Sequence, residues 1–429
     1  MDATSSNTPS ASPAPQPKTP RPPRKIVTYA ILTGGILTLL AVLGAQRQSR
    51  AVASQVRPPV SVLPTPRAPE PPDPLVQPQT QTPVARPRVE LVFALDTTGS
   101  MSGLIEGAKR KIWSLASFIA QGEPTPDLRV GLVAYRDVGD AYVTRVFDLD
   151  SDLDRVYRRL HSFHADGGGD GPEHVARALD ESVRKMTWSQ EQSVVKVIYL
   201  VGDAPPHTDY HDGYDYTRAA RAAATKGIQL HTIQCGTDHS AEVAWRQIAS
   251  LGGGQYMAIA QDGGMHAEHT AYDDELAKLH DKLGDTAIGY GAAAPAMAAE
   301  ARFAAAAPAE DKAARATFMA RKGKAVGGKG DLVDALASGE VKLDDVQGDL
   351  PAAMKAMDRG RQEAFVASKQ KERNEINARI AELSARRKTE LDKREKDEEK
   401  AGTAGFDVKA KAALKKSVSD NPMAGLDLK

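Results

Sequence analysis

Between residues 88 and 290, short apolar runs alternate with amphipathic segments of helical length. The runs VELVFALD, LRVGLVAY, YVTRVF, VVKVIYLVGD, IQLHTIQCG and QYMAI predict strands. Amphipathic segments between most of them, for example residues 104–120, 172–186, 216–226 and 241–251, predict helices. Strands that are apolar on both faces and alternate with helices predict an α/β domain, a Rossmann-like, doubly wound and mainly parallel sheet. YVTRVF alternates polar and apolar positions after a short loop, so it is the expected antiparallel edge strand.

The pattern changes on both flanks. Residues 26–45, IVTYAILTGGILTLLAVLGA, carry no charge and are long enough to cross a hydrocarbon core of about 30 Å. Lys18, Arg21, Arg24 and Lys25 precede this run and only Arg47 and Arg50 follow closely, which predicts an inside N-terminus and a periplasmic or extracellular remainder. The competing reading is a cleaved signal peptide ending at the AVA of residues 51–53. The apolar run exceeds the usual length of about 7–15 residues in such peptides, which favours the uncleaved anchor. Residues 1–25 are rich in Pro, Ser and Thr and are expected to be disordered. Residues 46–87 form a Pro-rich linker, with eleven prolines between Pro58 and Pro87.

Beyond residue 290 no second β-rich pattern appears. Residues 291–350 are expected to be an Ala/Gly-rich linker with short helices, 351–400 a charged helical segment and 401–429 a disordered end. In the charged segment Ile376, Ile380 and Leu383 make a short apolar seam, which Arg387 and Glu390 interrupt. Self-association through that helix, a helical hairpin and a solvated charged helix are the competing expectations.

Charge separates the same regions. The overall formal charge of zero resolves into +6 for residues 1–87, −10 for 88–290 and +4 for 291–429. An acidic central segment argues against a general nucleic-acid binder, which needs clustered Lys/Arg against phosphates. The lone cysteine, Cys235, has no intramolecular disulfide partner and lies in an apolar run, as a core thiol does.

In open α/β sheets, ligands gather beyond the carboxyl ends of the strands. Three polar clusters fall there: Asp96, Thr98 and Ser100 after the first strand; HADGGGDGPEH, residues 164–174, before a helix; and GDAPPH, residues 202–207, after the most apolar strand. The D-x-T-x-S spacing offers one carboxylate and two hydroxyls on alternate residues, a donor set suited to a hard divalent cation. Asp203, with Asp170 or Glu173, would complete the shell. Arg136, Asp137 and Asp140 follow another strand, either bracing these loops or facing a partner.

These residues resemble the von Willebrand factor type A domain, whose metal-ion-dependent adhesion site begins D-x-[ST]-x-S. VGLVAYRDVGD and GGGDGPEHVARAL are similar to segments of bacterial, membrane-tethered members. The resemblance covers residues 88–290. It implies Mg²⁺ or Mn²⁺ at Asp96, Thr98 and Ser100, with Asp203 in the place of the family's later aspartate. It also implies non-covalent binding of a protein partner through an acidic ligand residue, without catalysis. Where many members supply a threonine from the second loop this chain has Asp170 at or near that place, and a second carboxylate there would hold the cation more firmly while weakening its pull on the partner.

A haloacid-dehalogenase-like phosphotransferase with Asp96 as nucleophile is the enzyme alternative. Such chemistry wants a second acidic residue where Thr98 stands and a supporting lysine, and Lys196 begins its strand instead of ending it. A structural hub whose C-terminal helical tail makes the contacts is a third reading. His207, Asp209, His211 and Asp212 form either a polar rim or a second, zinc-type site.

Overall fold

The computed structural model describes residues 86–169, 171–262 and 269–428. The strands are β1 Arg88–Asp96, β2 Asp127–Tyr135, β3 Thr144–Asp150, β4 Val195–Gly202, β5 Ile228–Cys235 and β6 Gly253–Ile259. The first six helices are α1 Ser102–Ala120, α2 Leu153–His161, α3 Val175–Arg184, α4 Tyr216–Thr225, α5 His239–Leu251 and α6 Asp273–Gly284. They are followed by α7 Ala294–Ala305, α8 Ala309–Lys322, α9 Leu332–Ala337, α10 Ala352–Lys355, α11 Arg359–Ala401 and α12 Phe406–Ser419.

The strands form one sheet in the order β3-β2-β1-β4-β5-β6, parallel except for the β2–β3 pair at the edge. Alternation along each strand feeds two cores, because successive side chains leave the pleat on opposite faces. Leu91, Phe93 and Leu95 of β1 join Val197 and Tyr199 of β4 on one face, and Val92 and Ala94 join Ile198 and Leu200 on the other. Helices α3, α4 and α5 cover the second face. Carboxylates start several helices: Asp215 accepts from the N–H of Thr217 and Arg218 at α4, and Asp238 accepts from Ala241 at α5.

The C-terminal third departs from expectation. Residues 291–350 are not a linker between bodies, since Ala313, Phe318 and Met319 of α8 lie in the first core beside Trp113 of α1. The seam Ile376, Ile380 and Leu383 of α11 also joins that core. Arg387, where the seam seemed to break, is buried and pairs with the fully buried Asp273 of α6 at 2.5 Å. The seam is thus consumed inside the chain, which removes the surface that self-association through this helix required.

Nor is the stretch after residue 401 disordered. Gly402, in the left-handed region at φ 73°, ends α11, and α12 then packs Phe406, Ala410, Leu414 and Val418 onto the sheet. The Phe406 ring lies 6.2 Å from that of Phe93, and the Tyr199 hydroxyl donates to the Ala410 carbonyl at 2.8 Å. Lys111 of α1 and Asp407, both buried, approach to 3.2 Å. Beyond α12 the backbone of Asp427 exchanges two hydrogen bonds with Glu123. The physical reason for the difference is exposed apolar sheet: α1 and α2 do not cover β4 and β5 on this face, and α12 does.

The proposed membrane span at 26–45 lies outside the described residues, as do the 1–25 segment and nearly all of the 46–87 linker. Among the described residues no helix is long and apolar enough to cross a membrane.

Candidate metal centre

The sheet order reverses between β1 and β4, so the loops after these strands diverge to opposite faces and leave a crevice at their carboxyl ends. Asp96 and Asp203 stand on either side of it. The cleft, of about 540 Å³, is lined by Asp203 with Thr98, Ser100, Gly167, Gly168, Glu173, Asp238 and Gln261.

Asp96 is wholly buried. Its Oδ1 accepts from the Thr98 N–H at 2.9 Å and from the Thr98 hydroxyl at 2.6 Å, while Oδ2 has no hydrogen-bond partner. The Ser100 hydroxyl lies 3.3 Å from that of Thr98. Burial pushes the Asp96 carboxyl up to about 7, with Thr98 opposing the shift and Asp203 adding to it. An orphaned, desolvated carboxylate oxygen beside two hydroxyls fits a hard cation, whose charge would offset the cost of burying the anion. Among the described residues no group of three or more His, Cys, Asp or Glu is arranged to hold a metal, so the donor set here is the mixed carboxylate and hydroxyl one.

Asp203 is half-buried, and its Oδ2 accepts from Gln261 Nε2 at 2.6 Å. Gly202 permits the close approach of β4 to β1: a Cβ there would lie 2.5 Å from the Tyr135 hydroxyl and 3.1 Å from Asp96 Oδ2. Asp170 lies outside the described residues. Among the described residues of the second loop the buried carboxylate is Glu173, 2% exposed, with Oε2 unpartnered. Burial pushes its carboxyl up to about 9, and Asp96, Asp137, Asp140 and Asp203 push in the same direction. Its neighbour His174 caps α3 and pairs with Asp212 at 2.7 Å.

Arg136 braces the loops, but through backbone. Its guanidinium donates to the Thr97 carbonyl at 3.0 Å and the His164 carbonyl at 2.8 Å. Asp137 instead accepts from the Tyr210 hydroxyl at 2.6 Å, and His207 stacks on Tyr210 at 4.2 Å. The glycines of the second loop approach protein before any ligand. Gly167 and Gly168 have φ of 77° and 84°, Gly168 N–H donates to Asp140, and a Cβ on Gly167 would sit 2.2 Å from Asp140 Oδ1.

The phosphotransfer requirement is not met in the cleft. Lys196 pairs with Glu90 in register, six residues before Asp96, about 20 Å along the strand. The cleft-lining residues include no Lys or Arg.

Part of the chain is similar to known proteins. A model of the von Willebrand factor type A domain matches residues 90–269. Alpha-protein kinase vwkA of Dictyostelium discoideum is 32% identical over 130 residues, 30% of this chain and 20% of that protein. The mouse von Willebrand factor A domain-containing protein 7 is 37% identical over 94 residues, 22% of this chain and 10% of that protein. The chain therefore matches a fifth or less of the length of these relatives. Among solved structures, an aerotolerance-related membrane protein of Bacteroides fragilis aligns over 41% of this chain and 92% of that one, at 19% identity and a TM-score of 0.28. Proximal thread matrix protein 1 of the mussel byssus, with a zinc-occupied MIDAS motif, aligns over 41% and 43% at 14% identity and a TM-score of 0.34. Scores this low do not bear on the chemistry of the cleft. The sheet order and the D-x-T-x-S loop accord with the match of residues 90–269 to the von Willebrand factor type A domain.

Proposed function

We propose that this domain is a divalent-cation-dependent protein-binding module, held at a membrane by residues 26–45 and displayed on the periplasmic or extracellular side. The observation that carries the reading is Asp96: wholly buried, bonded to Thr98 through one oxygen and orphaned at the other. Asp96, Thr98 and Ser100 would hold Mg²⁺ or Mn²⁺, with Asp203 and the second loop completing the shell. When bound, the cation supplies a positive centre that accepts one further oxygen ligand, here a carboxylate of the partner. The chain's own part is positioning. Arg136 fixes the Thr97 and His164 carbonyls, Gln261 orients Asp203, and the open mouth leaves Ser100 accessible.

The test is calorimetric titration of Mg²⁺, then of a Glu-containing peptide, into the full-length chain in detergent. Wild type should bind the ion and then the peptide, and EDTA should abolish the second event. An ion affinity unchanged in Asp96→Ala would refute the proposal. Deleting residues 300–429 does not discriminate the tail-as-contact alternative, because α8 and α12 belong to the core of the domain.

A further inference from the structure

The loop between α8 and α9, GKAVGGKGD at residues 323–331, is pinned along its length. Gly323 ends α8 in the left-handed region at φ 69°, and the Lys324 N–H donates to the Met319 carbonyl at 3.0 Å. Ala325 and Val326 are buried, and the Gly327 N–H donates to Asp154 Oδ2 at 2.9 Å. Gly328 and Gly330 have φ of 67° and 105°; a Cβ on the first would collide with Asp152 Oδ2, and one on the second would press on Ala293 at 3.1 Å. A fixed backbone thus presents two lysines, Lys324 half-buried and Lys329 exposed. Two cavities, of about 990 and 600 Å³, share both lysines as lining, at the pole where β1 and β2 begin.

The charges around these cavities do not balance. Carboxylates answer Arg129, Arg155, Arg158 and Lys322: Glu90 at 2.7 Å, Asp152 at 2.9 Å, Glu300 at 2.9 Å and Asp127 at 2.8 Å. Arg159 takes up Asp150, and Arg373 takes up Asp331 and Asp334, so Lys324 reaches Asp334 through longer-range attraction alone. Among the described residues Arg86, Arg88, Lys324 and Lys329 form no ion pair, although all four line the larger cavity, and Glu340 is the one lining acid in the same position. Arg88 donates to the neutral Ser189 hydroxyl at 3.2 Å. The N–H groups of Gly328 and Lys329 also meet no protein acceptor among the described residues.

We propose that this groove binds a phosphate-bearing ligand, gripped by Lys324 and Lys329 with Arg86 and Arg88 in the same cavity. A phosphate group brings close to two negative charges and several acceptor oxygens. That suits four unpaired cations and two open N–H groups better than the single charge of a carboxylate. Leu128, Leu153, Met297 and Phe318 give the larger cavity an apolar side, against which an apolar body joined to the phosphate can rest. The groove lies at the opposite end of β1 from Asp96, and its chemistry does not depend on a cation there. A lipid headgroup and a free phosphate ester share this chemistry.

The probe is inorganic pyrophosphate, titrated into the full-length chain in neutral detergent and metal-free buffer. Wild type should bind it saturably. Lys324→Gln combined with Lys329→Gln should weaken binding by at least about tenfold, the cost of losing one or two charge-assisted contacts. Glu340→Gln should tighten it. Removing two exposed lysines of α11 instead, Lys371→Gln with Lys400→Gln, should change affinity by less than about twofold, since screened surface charge contributes little. No saturable binding, an unchanged affinity in the Lys324 and Lys329 variant, or an equal loss from the α11 pair overturns the proposal. If the first variant does not fold, Glu340→Gln decides, because misfolding does not tighten binding; an affinity no higher than wild type then overturns it. Competition separates the sources. Displacement of pyrophosphate by glycerophosphoglycerol, the chain-free headgroup of an anionic lipid, assigns the ligand to a lipid. Displacement by glycerol phosphate alone assigns it to a free phosphate ester, and displacement by neither overturns the proposal.

Discussion

Acidification should loosen α12 from the sheet through one side chain. His231 of β5 is 1% exposed. Its Nδ1 accepts from the Gln255 N–H at 2.9 Å, which leaves Nε2–H to donate to the Ser417 hydroxyl of α12 at 2.8 Å. Ser417 in turn donates to the Ala413 carbonyl at 3.1 Å. A proton on Nδ1 would set N–H against N–H, and burial pushes the pKa from 6.5 down to about 4, with Lys416 assisting and Asp420 opposing. The unfolded chain therefore takes the proton first. Stability from this group is full above about pH 6.5 and falls as pH drops towards 4, a loss of about 3 kcal/mol in all and about 2 kcal/mol by pH ~5.

The raw pH profile mixes this with other groups. His280, lowered to about 4 by burial and by Arg315, adds a loss of the same sign. Asp96 and Glu173, both raised, give the opposite slope. The assay is therefore a difference: urea unfolding of wild type and His231→Gln, in EDTA, across pH ~5 to ~7.5. The variant should be less stable at the upper end, by about 1 kcal/mol for its poorer hydrogen bonds, and should close or reverse that gap by about 2 kcal/mol at the lower end. Deuterium uptake by the α12 amides should rise with acid in wild type and not in the variant. Parallel stability curves would refute the reasoning, because the titration would then not reside at His231.

Three further outcomes follow from the packing. Phe406→Ala should cost about 3–5 kcal/mol in a urea melt, because the ring is 5% exposed between α12 and Phe93; a cost near zero would mean that α12 does not close this core. Gly202→Ala should cost about 1–3 kcal/mol and weaken Mg²⁺ binding, since its methyl meets the Tyr135 hydroxyl and crowds Asp96, and full retention of both would count against the close β1–β4 approach. Asp96→Asn should stabilise the chelated protein at and above pH ~7, by at most about 4 kcal/mol, since a carboxyl raised to about 7 loses stability as pH rises from its ordinary value; the gain should vanish near pH ~4, and a variant no more stable at pH ~8 would contradict the burial cost.

The strands were legible because β1, β2 and β4 are apolar on both faces, and the antiparallel edge because Thr144–Asp150 alternates. The D-x-T-x-S loop was legible because all of its donors are local. Glu173 was harder to weigh: its burial is set by the bridge to Pro206, thirty-three positions further on, and a backbone pairing of single residues leaves no periodic trace. Helix α2 is hard to single out because its polar face dominates a short segment, although Val156, Tyr157 and Leu160 are buried. In α11 the misreading was chemical. Arg373 and Arg387 sit on the inward face, and each is matched by a carboxylate from another part of the chain: Asp331 at 2.8 Å for the first and Asp273 at 2.5 Å for the second. A residue-by-residue pattern scores such arginines as surface, whereas their partners make them core.

The Asp427–Glu123 pairing has a mechanical consequence. Glu123 shortly precedes β2, whose first residue Asp127 is in register with Arg88, so both extremities of the described chain emerge at the pole opposite Asp96. A load applied between Arg88 and a partner gripping the Asp96 end would run lengthwise along β1. That strand is flanked on both sides by parallel neighbours, β2 and β4, so tension would be borne in shear by two ladders of hydrogen bonds at once instead of peeling them one at a time.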